Sequence, residues 1–330
     1  TNQGLFVAPM NQLDKNGELQ DNFEFIEGTD GQVWKLEVVD NTLLCGHNFG
    51  LFQVKGNRAV KITSERGYWS FLSLDPQSDT LLCGTYNGLS VIVNDNGNWR
   101  YSHRLEGFNE SSRNIAKGIG KYDLWMAHGY RGIFHLRLNS RLTKVEKHSL
   151  FGTESGLPKV LPYNVFTIGN ETIFTSSKGL FTFQASSNTF VPHEKLNKIL
   201  GENVDIDQLS ADINDNIWYF SNGTMGLLRL LEDGSFSNVT APFMRINNSL
   251  IESYENVFVY DNRNVFIGTK NGLLHYDPFY RKDYSIHQKL VFREISFAEK
   301  DSIIALGGIK NKDQGESVKG MKVPFSFNNA

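Results

Sequence analysis

The sequence predicts an all-β fold, a β-propeller of four-stranded blades. Three observations carry that prediction. A glycine-led step recurs about every 45 residues, the length of one blade. The stretches around it are short apolar runs bounded by Gly and Asn, too brief for helices. The composition sets 30 glycines, 24 phenylalanines and 12 tyrosines against only eight prolines, which suits many short strands joined by tight turns.

The step reads Gly4-Leu5-Phe6, Gly50-Leu51-Phe52, Gly88-Leu89-Ser90, Gly132-Ile133-Phe134, Gly179-Leu180-Phe181, Gly226-Leu227-Leu228 and Gly272-Leu273-Leu274, with spacings of 46, 38, 44, 47, 47 and 46. In each copy a first strand is expected well upstream, as in Trp69–Leu74, Asn164–Ile168 and Asn256–Tyr260. A second strand precedes the glycine: Leu43–Gly46, Leu81–Thr85, Leu124–Ala127, Ile173–Thr175, Ile217–Phe220 and Val265–Thr269. The glycine opens a third strand. Turn residues such as Gly56-Asn57, Asp95-Asn96-Gly97 and Asp233-Gly234 then close a hairpin onto the fourth. Only residues 194–202 have the pattern of a helical turn or two.

The step at Gly4 is a third strand with no first or second ahead of it. The chain therefore reads as six whole blades and the outer half of another, in a ring expected to hold seven. The expected division is a propeller over residues 1–289 and the start of a β-sandwich over 290–330. Ring closure by Val291–Ala298 and Ser302–Leu306, which alternate like a first and second strand, is the alternative. Val323–Asn329 reads like the start of a further strand.

Charge and cysteine content narrow the function. Lys and Arg total 33 against 36 Asp and Glu, a net charge of −3, so no nucleic-acid surface is expected. Two cysteines build no disulfide framework or zinc site, and Cys45 and Cys83 read as buried small hydrophobes. No apolar run reaches the roughly 18 residues of a membrane span, and residues 1–20 lack the order of a secretion signal. The chain reads as a soluble segment, compatible with a place in a longer anchored protein.

Asp212–Trp218 with Gly226–Leu230, the run Asn264–Asp277 and the linker Glu154-Ser155-Gly156-Leu157-Pro158 resemble the two-component regulator propeller repeat. The tail from Leu290 to Asn329 is similar to the opening of the three-Y immunoglobulin-like module that follows such propellers. Other blades are degenerate: Gly88-Leu89-Ser90 lacks the aromatic and Gly132-Ile133 replaces the leucine. The resemblance implies the periplasmic sensor region of a Bacteroidetes-type hybrid two-component system, anchored in the inner membrane. It implies recognition of a glycan fragment, a homodimer formed through the propeller or the following domain, and relay to a kinase or transcription output. No output machinery lies in the chain.

Catalytic motifs are missing: no GxxxxGK[ST], HExxH, GxSxG or GxGxxG occurs. Asp212–Asn216 starts like a calcium loop but has Ile217 and Gly223 where the loop needs glycine and an acid, so it reads as a strand-end turn. Glu37, Asp75, Asp123 and Asp207 are sparse candidates for the paired carboxylates of a glycosidase. No enzyme, cofactor or metal is expected.

A ligand is expected where second-to-third-strand loops and inter-blade segments gather at one face. Those segments supply His47, Arg66, Tyr68, Trp69, Tyr86, His128, Tyr130, Arg131, Tyr163, Lys178 and Lys270. Aromatic faces suit sugar C–H groups, and the basic and amide groups suit hydroxyls and carboxylates. A protein-binding scaffold is the second reading, and a glycan-cleaving propeller the third.

Overall fold

The computed structural model describes residues 1–9, 23–75, 77–201, 203–280, 294–297 and 302–306. Thr1–Arg281 forms one compact unit and Lys282–Ala330 a second.

The first unit is a propeller of antiparallel meanders. Blade 1 comprises Val33–Val39, Thr42–His47, Gly50–Lys55 and Arg58–Thr63, and blade 2 Ser70–Leu72, Thr80–Thr85, Gly88–Asp95 and Asn98–Arg104. Blade 3 comprises Asn114–Lys117, Asp123–His128, Gly132–Leu138 and Val145–Phe151. Blade 4 follows with Asn164–Ile168, Glu171–Ser176, Gly179–Gln184 and Thr189–Pro192, and blade 5 with Gln208–Ala211, Ile217–Ser221, Thr224–Leu230 and Phe236–Val239. Blade 6 shows three strands among the described residues, Val257–Val259, Val265–Thr269 and Gly272–Tyr276. Phe6–Val7 pairs with Glu24–Phe25, the hairpin expected of an outer half-blade. A seventh blade is not seen among the described residues.

The repeat glycine has a steric reason. Gly50, Gly88 and Gly132 open their third strands at φ of +142°, +96° and +133°. A Cβ on each would clash with the carbonyl oxygen of Thr63, Phe108 or Phe151, where the blade ends or the next begins. Blade 5 departs from the expected register. There Thr224 holds the strand-opening position opposite Ser221, after a turn at Asn222 and Gly223, and Gly226 sits two residues inside the strand opposite Tyr219.

The core lies between blades. Leu44, Leu51, Tyr68, Leu81, Cys83, Ile92 and Trp99 join blades 1 and 2. Four further clusters join 2 to 3, 3 to 4, 4 to 5 and 5 to 6 in the same manner. Both cysteines are free and buried, and burial pushes the Cys45 thiol up to about 12. The expected helical turns appear as an α-helix, Glu194–Leu200, capped by His193 Nδ1 accepting the Leu196 N–H at 3.3 Å.

In the second unit, Glu294–Phe297 pairs antiparallel with Ser302–Leu306, the two strands expected there. The tail at Val323–Asn329 lies outside the described residues. No helix of the described residues is long and apolar enough to cross a membrane.

Candidate functional site

Inter-blade segments and second-to-third-strand turns interlock on one face. Gly67 N–H donates to Asn48 O, Tyr86 N–H to Arg66 O, Ser112 N–H to Thr85 O, Asn248 N–H to Gly223 O and Lys270 N–H to Ser249 O. Each first strand begins at this face, so the residues just ahead of or at its start converge near the centre of the ring.

There four aromatic side chains and an arginine from four blades meet. Trp34 of blade 1 stacks on Trp69 of blade 2 at 4.0 Å and on Tyr254 of blade 6 at 5.9 Å. Tyr86 meets Trp69 edge-on at 5.3 Å and donates from its hydroxyl to Asn48 Oδ1 at 2.8 Å. The Arg113 guanidinium, entering blade 3, lies 5.5 Å from the Trp69 ring and 5.6 Å from the Tyr254 ring. It also donates to Ser253 O at 2.6 Å, tying blade 3 to the segment that enters blade 6. Cation–π contact and a hydrogen bond thus hold one group in place. Tyr254 remains 50% exposed and Arg113 is exposed, so the cluster presents an aromatic and a cationic surface to solvent.

The opposite arc is polar. Asn114 Nδ2 donates to Asn164 Oδ1 at 2.8 Å, and Asn164 Nδ2 to Asp207 O at 3.3 Å. Asp207 Oδ2 accepts the Asn222 N–H at 3.0 Å. Burial pushes the Asp207 carboxyl up to about 6, with the charges of Glu255, Asp205 and Glu252 adding to the effect.

The structure distributes the residues picked out from the sequence. Trp69 and Tyr86 stand in the aromatic cluster. Arg66 lies beside it, exposed, its guanidinium 5.3 Å over the Phe49 ring. His128, Tyr130 and Arg131 form a separate rim on blade 3, where Arg131 pairs with Glu110 and His128 Nε2 lies 3.7 Å from the same carboxylate. Lys178 is exposed on the blade 4 turn, and Lys270 Nζ donates to Asn248 O at 3.0 Å. His47, Tyr68 and Tyr163 are buried: His47 Nδ1 accepts the Phe49 N–H, the Tyr68 hydroxyl accepts from Ser90, and that of Tyr163 donates to Pro158 O.

The candidate carboxylates have partners of their own. Asp123 takes a bidentate bond from Arg137, Asp75 lies 3.5 Å from Lys121, and Glu37 lies 3.8 Å from Lys35. Asp212 accepts the backbone N–H groups of Asn214 and Asn216 and the Trp218 indole, as a strand-end turn does. Trp34 and Tyr254 escaped the sequence reading. Their signal was positional, since both fall at or just ahead of a first strand, as Trp69 and Arg113 do.

No family profile matches the sequence, and no curated protein does. Among solved structures, the chain is similar to the extracellular domain of BT4673 of B. thetaiotaomicron, described as a one component system, at 17% identity and a TM-score of 0.52. That match covers 83% of this chain and 36% of the other, so the chain spans about a third of that neighbour. A second crystal structure of the BT4673 extracellular domain is described as part of a hybrid two component system. Similarity also extends to virginiamycin B lyase of Staphylococcus aureus, at 11% identity and a TM-score of 0.50 over 79% of this chain and 84% of that one. At such identities the likeness establishes the β-propeller fold, which serves recognition in some proteins and catalysis in others.

Proposed function

We propose that this chain is an extracytoplasmic sensor propeller that recognises a saccharide at the mouth of its ring. The observation that carries this reading is the convergence of Trp34, Trp69, Tyr86, Tyr254 and Arg113 from four blades on one solvent-facing cluster. Aromatic rings offer flat apolar faces to sugar C–H groups, while Arg113 and the amides of the opposite arc supply directional bonds to hydroxyls. Likeness in fold to an extracellular domain of a signalling protein supports the placement outside the cytoplasm.

Signalling then requires the ligand to favour one of two states. Arg113 and Tyr254 tie blades that are distant in sequence, so a ligand engaging both would bias how those blades sit. Relay to an inner-membrane kinase or transcription output, through a homodimer, belongs to this proposal and to the rest of a longer protein. The test is isothermal titration against a panel of glycan fragments. Binding of at least one, weakened about tenfold or more by Trp69→Ala or Arg113→Ala, is expected. Absence of heat with every fragment overturns the reading.

A second reading is a scaffold that captures a protein partner. It is favoured by Tyr130, which is 88% exposed beside the Arg131–Glu110 pair. Loss of partner capture in Tyr130→Ala, with glycan binding unchanged, would select it.

A further inference from the structure

The seam between blades 3 and 4 holds a cavity of about 530 Å³ away from the ring mouth. Its chemistry follows from strand register. In blade 3, Asp123, Arg137 and Lys147 lie in one cross-strand row, and Trp125, His135 and Ser149 in the next, all on one face because side chains alternate. The inner end of that face packs on blade 4, with the Trp125 ring 5.1 Å from Phe174 and 4.7 Å from Phe183. The outer end opens on the cavity, lined by His135, Arg137, Lys147 and Ser149 and faced by Ser155 and Asn188.

The row sets two cations directly opposite each other, which costs stability unless something negative compensates. Asp123 compensates one of them, taking Arg137 Nε at 2.8 Å and Nη2 at 3.0 Å. Nothing compensates Lys147, which has no ion pair or hydrogen bond among the described residues. The acid in the lining, Glu154, accepts the Gly152 N–H at 3.0 Å and forms no ion pair with Lys147. The side chains of Ser149, Ser155 and Asn188 likewise have no hydrogen-bond partner among the described residues, and Phe151, on the same face as Trp125, supplies an apolar wall.

We propose that this seam is a second binding site, for a small hydroxylated carboxylate whose acid group sits between Lys147 and the free edge of Arg137. Its hydroxyls meet Ser149, Ser155 and Asn188, and its carbon skeleton lies on Phe151. The volume falls within the range of small-molecule sites. The site is independent of the reading at the ring mouth.

The test is titration of the protein with sodium glucuronate and sodium gluconate, a ring and an open-chain form of the same chemistry, with glucose as the neutral control at equal ionic strength. At least one carboxylate should bind, and which one identifies the form. Glucose should bind at least about tenfold more weakly, the worth of one charge-assisted hydrogen bond. Lys147→Glu should abolish binding, and Lys147→Gln, the control for folding, should weaken it while leaving the thermal transition in place. Trp69→Ala should leave it unchanged. Binding of neither carboxylate, equal binding of glucose, or binding that survives Lys147→Glu but fails in Trp69→Ala overturns the proposal.

Discussion

Two aspartates show how placement sets the sign of a pH effect. Asp123 is 5% exposed, and the hydrogen bonds from Arg137 hold its carboxyl below the usual carboxylate range. Its contribution is therefore complete above about pH 4 and is lost as pH falls through the lower folded value. Asp207 runs the other way. Its carboxyl is pushed up to about 6, so the folded state holds the proton more tightly than the unfolded chain does. Its contribution is largest in acid and declines as pH rises from about 4 to about 6. Asp123→Asn should destabilise the protein by about 1.5–3 kcal/mol at neutral pH, the range for hydrogen bonds to a charged group. Asp207→Asn keeps an oxygen for the Asn222 N–H and removes the buried charge, so it should be neutral or stabilising at pH 7 and should flatten the decline between about pH 4 and about pH 6. Urea unfolding of both variants from about pH 3 to about pH 7 checks the two signs: the loss from Asp123→Asn should shrink in acid below about pH 4, and the decline above it should flatten in Asp207→Asn. A decline in the Asp207→Asn protein as steep as in the parent would show that another group causes it.

The repeat was legible because the blades share local rules: apolar strands, turn residues with φ > 0 and, in blades 1, 2 and 3, a repeat glycine where a neighbouring carbonyl crosses close by. Those rules predict unequal costs for superficially similar glycines. Gly56 lies in an open turn at φ +60°, with nothing within 4 Å of an added Cβ, so Gly56→Ala should cost about 1–2 kcal/mol from backbone conformation alone. Gly88, at φ +96°, would also clash with Phe108 O, and Gly88→Ala should cost more than about 3 kcal/mol. Denaturant midpoints of the two variants measure the difference, and equal shifts would refute the steric account. Where the rule is met by another residue, sequence reading slips. In blade 5 Asn222 and Gly223 take up the positive φ, which frees the strand-opening position for Thr224 and moves the glycine step two residues out of register. The site was less legible for a related reason. Loop aromatics such as Trp69 and Tyr68 are adjacent, yet one stacks at the ring mouth and the other is buried between blades 1 and 2. Composition does not separate those fates, because strand alternation sends neighbours to opposite sides.

Because every core cluster is shared by two blades, no blade owns the surface it buries. This distinguishes the ring from a chain of self-sufficient modules and predicts its response to truncation. Ending the protein before residue 252 removes blade 6 and uncovers the side of blade 5 that carries Trp218, Phe220, Met225 and Leu227, each at most 3% exposed in the intact unit. Re-exposure of a large apolar side chain costs about 1.5–3 kcal/mol. Four of them approach the roughly 5–15 kcal/mol that holds a whole domain together. The cut also removes Ser253 and Tyr254, and with them the contacts of Trp34 and Arg113 across the ring mouth. The truncated protein should therefore lose its cooperative thermal transition, shift its tryptophan emission to the red and bind a hydrophobic dye. In an array of self-sufficient modules the remaining blades would melt nearly as before. A sharp transition within a few degrees of the parent's, with blue-shifted emission retained, would mean that the blades are stabilised internally and that the shared clusters contribute little.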